Sequence, residues 1–226
     1  MRYGTVCRGR FVRRPNRFIA IVEIDGQEVT CHVKNTGRCK ELLQEGCTVI
    51  LEDCGFNPNR KTRYDLIAVY KGSLLVNMDS QAPNKVVAEY LPTLFPELVT
   101  VKPETTYGSS RFDFYLETKA KKIFMEVKGV TLEEDGIARF PDAPTERGIK
   151  HMRELISCMK EGYEAYLIFV IQMEGMKYFE PNIATHPAFG EVLKEAEMAG
   201  VHIRCLGCTV EEDGLWISYE IPRVVS

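Results

Sequence analysis

The stretch Ile123-Phe-Met-Glu-Val-Lys-Gly-Val130 constrains this chain more than any other. It reads as an interior β-strand, yet Glu126 and Lys128 sit in the middle of an apolar run. Strand residues two apart point to one face, so these two charges emerge together while Val127 turns the other way. Charges in such a place are costly unless they are paired or bind a metal. The preceding Arg111-Phe-Asp-Phe114 reads as the neighbouring strand, and a lysine-rich turn over 118–122 makes the two an antiparallel hairpin. If Glu117 pairs with Lys122, Asp113 lies directly across from Glu126. A slip of one residue would send Asp113 to the opposite face.

Two carboxylates and a lysine on one patch suit a divalent-metal phosphodiesterase. Asp113 and Glu126 would supply hard oxygen ligands to Mg²⁺ or Mn²⁺, and Lys128 would orient a water or neutralise charge on a phosphate. The pattern Asp…Glu-x-Lys resembles the core of the PD-(D/E)xK nucleases. The plain alternative is a solvated hairpin face, because such triplets recur by chance; the apolar surroundings of Glu126 speak against it. Glu104, just before this hairpin, is a candidate third ligand or a rim charge. Of the four histidines only His151 is a candidate for the site, since it shares a helix face with Arg147 and Lys150.

The first 80 residues alternate in the manner of short strands, expected over 5–13, 17–25, 28–33, 47–53 and 63–70, with 74–77 as an extension. Arg38-Cys-Lys-Glu-Leu-Leu-Gln-Glu-Gly46 reads as a short helix closed by glycine. Five strands with a helix between the third and fourth is the plan of an OB-fold barrel, whose sheet face and loops commonly take oligonucleotides. The basic segment 57–63, with Arg60, Lys61 and Arg63, would be its mobile fourth-to-fifth-strand loop.

Near Asp79-Ser-Gln-Ala-Pro83 the pattern turns helical, which sets a boundary between residues 1–80 and 81–226. A helix over 85–91 ending at Pro92, a strand from 98 to 101, the Asp113 and Glu126 strands, a helix from the Thr145 N-cap to about 161 and a buried strand over 163–173 follow in order. Helix, three strands, helix, strand is the core order of the PD-(D/E)xK fold. A further helix stopped by Gly200, a strand over 201–205 and a hairpin at Asp213-Gly214 complete the chain. The expected class is α+β with two domains, an OB-fold-like β-barrel followed by an α/β PD-(D/E)xK nuclease-like domain.

The net charge of −3 conceals an asymmetry: residues 1–80 hold 13 Lys/Arg against 9 Asp/Glu, and the remainder 16 against 23. Arg8, Arg10, Arg13, Arg14 and Arg17 all precede the first acidic residue, Glu23, and read either as a nucleic-acid footprint or as a solvated, aggregation-resistant edge. No stretch is long and apolar enough to span a bilayer, and the 8 cysteines are irregularly spaced, so reduced thiols in a cytoplasm and no membrane partner are expected. Cys205-Leu-Gly-Cys208 lacks a second pair, so no zinc is expected.

The blocks Asn35-Thr-Gly-Arg38, Tyr107-Gly-Ser-Ser-Arg-Phe-Asp113, Glu126-Val-Lys-Gly-Val-Thr-Leu132 and Phe140-Pro-Asp-Ala-Pro-Thr-Glu-Arg-Gly-Ile-Lys-His151 together resemble the sugar fermentation stimulation protein A family over nearly the whole chain. That resemblance implies DNA binding, a link to the control of sugar (maltose-type) utilisation, and an OB-like domain joined to a nuclease-like one. Three readings stay open. The first is a largely sequence-nonspecific DNA-binding protein with a Mg²⁺-dependent nuclease site, with phosphate contacts from Arg147, Lys150 and the basic residues of the barrel. The second is a non-catalytic DNA-binding regulator, and the third a hydrolase or sensor of a small phosphorylated ligand. Strand preference and oligomeric state are not fixed by the sequence.

Overall fold

The computed structural model describes residues 1–224. In the N-terminal part, β1 (Val6–Asn16), β2 (Ile19–Ile24), β3 (Gln27–Val33), β4 (Thr48–Asp53) and β5 (Tyr64–Lys71) are joined in the order β3-β2-β1-β4-β5. A parallel pairing of β3 with β5 closes the barrel, and β6 (Leu74–Asn77) extends its β5 edge. Phe11, Ala20, Val22, Cys31, Val49, Leu51, Leu66 and Val69 fill the interior. This is the expected OB plan, with one correction. Residues 38–46 form turns, not a helix. Cys39 takes the left-handed conformation (φ 46°), and the carbonyls of Gly37 and Arg38 are both engaged by Arg14, which removes acceptors a helix would need.

The second part is built on a six-stranded sheet, β15-β14-β12-β9-β8-β7. In chain order its elements are α1 (Ala82–Leu94), β7 (Leu98–Tyr107), β8 (Ser110–Thr118), β9 (Lys122–Val130), β10 (Leu132–Glu134), β11 (Ile137–Phe140), α2 (Glu146–Lys160), β12 (Glu164–Ile171), β13 (Tyr178–Pro181), α3 (Pro187–Met198), β14 (His202–Glu211) and β15 (Gly214–Glu220). Strands β9, β12 and β14 run parallel, and the β7–β8 hairpin lies antiparallel beside β9. Helix α1 covers one face, packing Val86, Val87 and Leu91 on Met125, Val127, Ile168 and Val170. Helices α2 and α3 cover the other, with Met152, Leu155, Phe189 and Leu193 over Phe124, Leu167 and Phe169. Strand β12 is thus buried on both faces, as its continuous apolar run requires. A small sheet, β10-β11-β13, stands beside it.

Two bounds differ from the sequence reading. Helix α1 passes through Pro92 instead of ending there; so near the C-terminus, the proline costs one hydrogen bond, and Phe95 N–H still closes the last turn on Leu91 at 2.8 Å. Strand β7 runs six residues beyond 101 despite Pro103, because it is an edge strand whose lost donor faces outward. Among the described residues, no helix is long and apolar enough to cross a membrane. Cys205 lies in the α2–α3 core and Cys208 in the α1 core, as positions three apart on a strand must, so the CxxC pair cannot converge on one ion.

Candidate metal centre and nucleic-acid interface

The hairpin register decides the site. Glu117 pairs with Lys122 and Phe114 with Met125; Asp113 and Glu126 follow where that backbone ladder ends, and there the Asp113 carboxylate takes the Val127 N–H. Asp113 is fixed from two sides: the Asn84 side chain of α1 donates to Oδ1 and the Val127 N–H to Oδ2, each at 2.8 Å. Two strand positions and one helix start therefore hold the carboxylate still, with lone pairs to spare on both oxygens.

Glu126 is 3% exposed. Its Oε1 accepts from the Lys128 ammonium and from His151 Nδ1, the latter at 2.6 Å. Arg147 Nε, a donor only, makes a long 3.4 Å bond to His151 Nε2, which places the ring proton on Nδ1, toward Glu126. Residues 147 and 151 are one helical turn apart, and the Thr145 hydroxyl accepting from Gly148 N–H at 3.0 Å fixes where α2 begins. The other oxygen, Glu126 Oε2, is buried with no hydrogen-bond partner.

The two carboxyls titrate in opposite directions. Burial, followed by repulsion from Glu126, raises the Asp113 pKa. Burial also opposes ionisation of Glu126, but the His151 hydrogen bond and the Lys128 ammonium outweigh it and hold that carboxyl below its usual range. Of the two carboxyls, Asp113 is the one that takes up a proton more readily.

A cavity of about 540 Å³ opens beside this group, lined by Ser109, Ser110, Arg111, Glu146, Arg147, Lys150 and His151. Lys150 donates to the Ser109 carbonyl at 2.9 Å. The arrangement thus brings Asp113, Glu126, Lys128, Arg147, Lys150 and His151 together. Glu104 does not join them: it is exposed on β7, 3.5 Å from Arg111. Asn84 went unseen in the sequence because the helix was expected to start one residue later, and nothing local marks an asparagine as a partner for a residue 29 positions on.

The basic residues of the barrel are spread out. Arg8, Arg10 and Arg13 pair with Glu212, Glu23 and Glu28 at 2.6, 2.9 and 3.3 Å. Arg60 pairs with Asp65, and Arg63 with Asp53 at 2.5 Å, so the loop before β5 is tied to the barrel by charge. Lys61 is exposed. Arg14 departs most from the expected phosphate contact. Its guanidinium donates to the carbonyls of Asn35, Arg17, Gly37 and Arg38 at 2.6, 2.7, 2.8 and 2.8 Å. Arg17 stacks over Phe18 with its guanidinium carbon 5.7 Å from the ring centre.

Against known proteins, residues 12–78 match the family model for the SfsA N-terminal OB domain, and residues 81–214 match that for the sugar fermentation stimulation protein RE domain. A sugar fermentation stimulation protein homolog from Clostridium beijerinckii is 58% identical over 217 residues, which are 95% of this chain and 96% of that one. One from Desulfitobacterium hafniense is 59% identical over 216 residues, covering 95% and 94%. The structure of Pyrococcus furiosus SfsA in complex with Ca²⁺ superposes with a TM-score of 0.87 at 30% identity, covering 99% of this chain and 98% of that one.

Proposed function

The chain belongs to the sugar fermentation stimulation protein family, and from that premise we propose that it is a nucleic-acid-binding phosphodiesterase dependent on Mg²⁺ or Mn²⁺. The observation that carries the reading is Glu126 Oε2, a buried carboxylate oxygen without a partner among the described residues, on the strand next to that of Asp113. Burying such an oxygen unsatisfied is costly, and a hard divalent cation is a ligand that carboxylate oxygens suit. The donor set fits: Asp113 and Glu126 would hold the ion. That the Pyrococcus furiosus relative was solved with Ca²⁺, another oxygen-seeking cation, supports the choice.

When bound, the metal would polarise a phosphoryl oxygen and lower the pKa of a coordinated water. The protein's own part is positioning. Lys128, held against Glu126, stands where it can orient the attacking water or offset charge on the phosphate. His151 keeps Glu126 from rotating and is itself held by Arg147. Arg111, Arg147 and Lys150 line the adjoining cavity and would grip the phosphates on either side of the scissile bond. The free thiols of all eight cysteines suit a cytoplasmic location.

The test is incubation of linear, nicked, single- and double-stranded DNA with the protein and Mg²⁺ or Mn²⁺. Cleavage should depend on the metal and be lost in Asp113→Ala and Lys128→Ala. Cleavage that survives Asp113→Ala would belong to a contaminant. No cleavage of any substrate, with binding intact, would leave a non-catalytic DNA-binding regulator as the better reading.

A further inference from the structure

A second cavity lies away from the carboxylates, on the barrel. It measures about 580 Å³ and opens between the β1–β2 turn (Asn16, Arg17) and the turns that follow β3 (Thr36 to Lys40). Its floor is apolar, formed by Phe11 and Leu43, 4% and 8% exposed. Its rim is cationic, carrying Arg17, Arg38 and Lys40. Unlike most of the barrel's arginines, these three cations have no carboxylate within ion-pair distance among the described residues. Arg14 explains their freedom. By gathering four backbone carbonyls into one guanidinium, it ties the two segments together and leaves the side chains of Arg17, Arg38 and Lys40 on the exposed side. Phe18, half exposed, adds an aromatic face beside Arg17.

We propose that this cavity is a cradle for single-stranded nucleic acid, taking an unstacked base against Phe11 and Leu43 and the neighbouring phosphates on Arg17, Arg38 and Lys40. The inference rests on the nucleic-acid reading above and adds the strand selectivity. A cavity of this size holds one nucleotide-sized group. In a duplex the bases are stacked and paired inward, so only the backbone would reach the rim and the apolar floor would stay wet. A single strand satisfies both, with stacking and charge acting together. Thr36 and Gly37 also line a second cleft, of about 280 Å³, that reaches Gly129, the residue after Lys128. Asp142 stands on the cleft side of that saddle, a Cβ at Gly37 being only 3.1 Å from its carboxylate, so the phosphates are favoured on the cradle side.

Fluorescence anisotropy in EDTA measures this without cleavage, using oligo(dT), oligo(U) and a hairpin duplex of about ten nucleotides, within the reach of one OB domain. Wild-type protein should prefer one or both single strands to the duplex. Thr36→Trp, at an exposed position where the new ring fills the cavity without disturbing the core, should lower single-strand affinity about tenfold and barely change duplex affinity. The triple variant Arg17→Gln, Arg38→Gln, Lys40→Gln should flatten the slope of log K against log salt by about 2 on single strands, whereas Arg10→Gln with Arg13→Gln should flatten it less. Equal affinity for single strand and duplex, or single-strand binding unmoved by Thr36→Trp, overturns the cradle. The two proposals fail separately. Single-strand binding without metal-dependent cleavage of any substrate would sink the nuclease and keep the cradle. Metal-dependent cleavage with binding indifferent to the cradle variants would do the reverse.

Discussion

Charged residues live differently in the two halves of this molecule. On the barrel, arginines lie in the open beside glutamates from neighbouring strands, as Arg10 does with Glu23 and Arg13 with Glu28. In the second half, Glu126 lies under α2 with a lysine and a histidine on one oxygen and nothing on the other. Exposed pairs gain little because water already solvates both partners. A buried carboxylate has no such reservoir, so an oxygen left without a partner points to a ligand.

Removing charge on each side tests that contrast. Glu126→Ala leaves the Lys128 ammonium without its counter-charge and the His151 Nδ1–H without its acceptor, and should destabilise the fold by about 3–5 kcal/mol in urea titrations. Glu23→Ala, which strips Arg10 of its partner, should be hard to distinguish from wild type. Similar losses at the two sites would mean that Glu126 is more solvated than the structure places it.

A second contrast lies within the barrel. Arg14→Gln gives up charged hydrogen bonds to four carbonyls and should cost about 2–3 kcal/mol. Arg13→Gln, one residue away and exposed, should leave the unfolding midpoint in place. If both are silent, the connection after β3 is held by something other than Arg14.

The smallest effect concerns the thiols. Burial pushes Cys158, Cys205 and Cys208 up to about 12, so almost no thiolate exists at neutral pH in the folded protein. These three should resist a maleimide or disulfide reagent until the protein unfolds, while half-buried Cys7, Cys47 and Cys54 react earlier. Mass spectrometry after brief labelling would read the order, and early labelling at Cys205 would show that the sheet opens locally.

Much of this architecture was legible because its signals are local. Alternation gave the barrel strands, Thr145 announced α2, and the expected pairing of Glu117 with Lys122 is the register of the β8–β9 hairpin. What escaped the sequence depends on distant partners. The turns over 38–46 carry helix-forming residues, yet Arg14, more than twenty positions earlier, claims the carbonyls of Gly37 and Arg38 where a helix would begin. Asn84 meets Asp113 only because α1 starts against the end of β9. The arginine cluster looked uniform in sequence. In space Arg8, Arg10 and Arg13 find carboxylates, Arg14 turns inward, and Arg17 joins Arg38 and Lys40 at a cavity.

The most direct measurement of the central claim is the melting temperature with and without millimolar Mg²⁺ or Mn²⁺. An ion at a hundredfold excess over its Kd adds about 2.7 kcal/mol, which for a chain of this size is a rise of about 5–10 °C. Wild-type protein should show that rise, and Glu126→Gln, which keeps the shape but not the charge, should lose it while still binding nucleic acid. A wild-type melting temperature indifferent to both metals, alone and with nucleic acid bound, would contradict the metal centre.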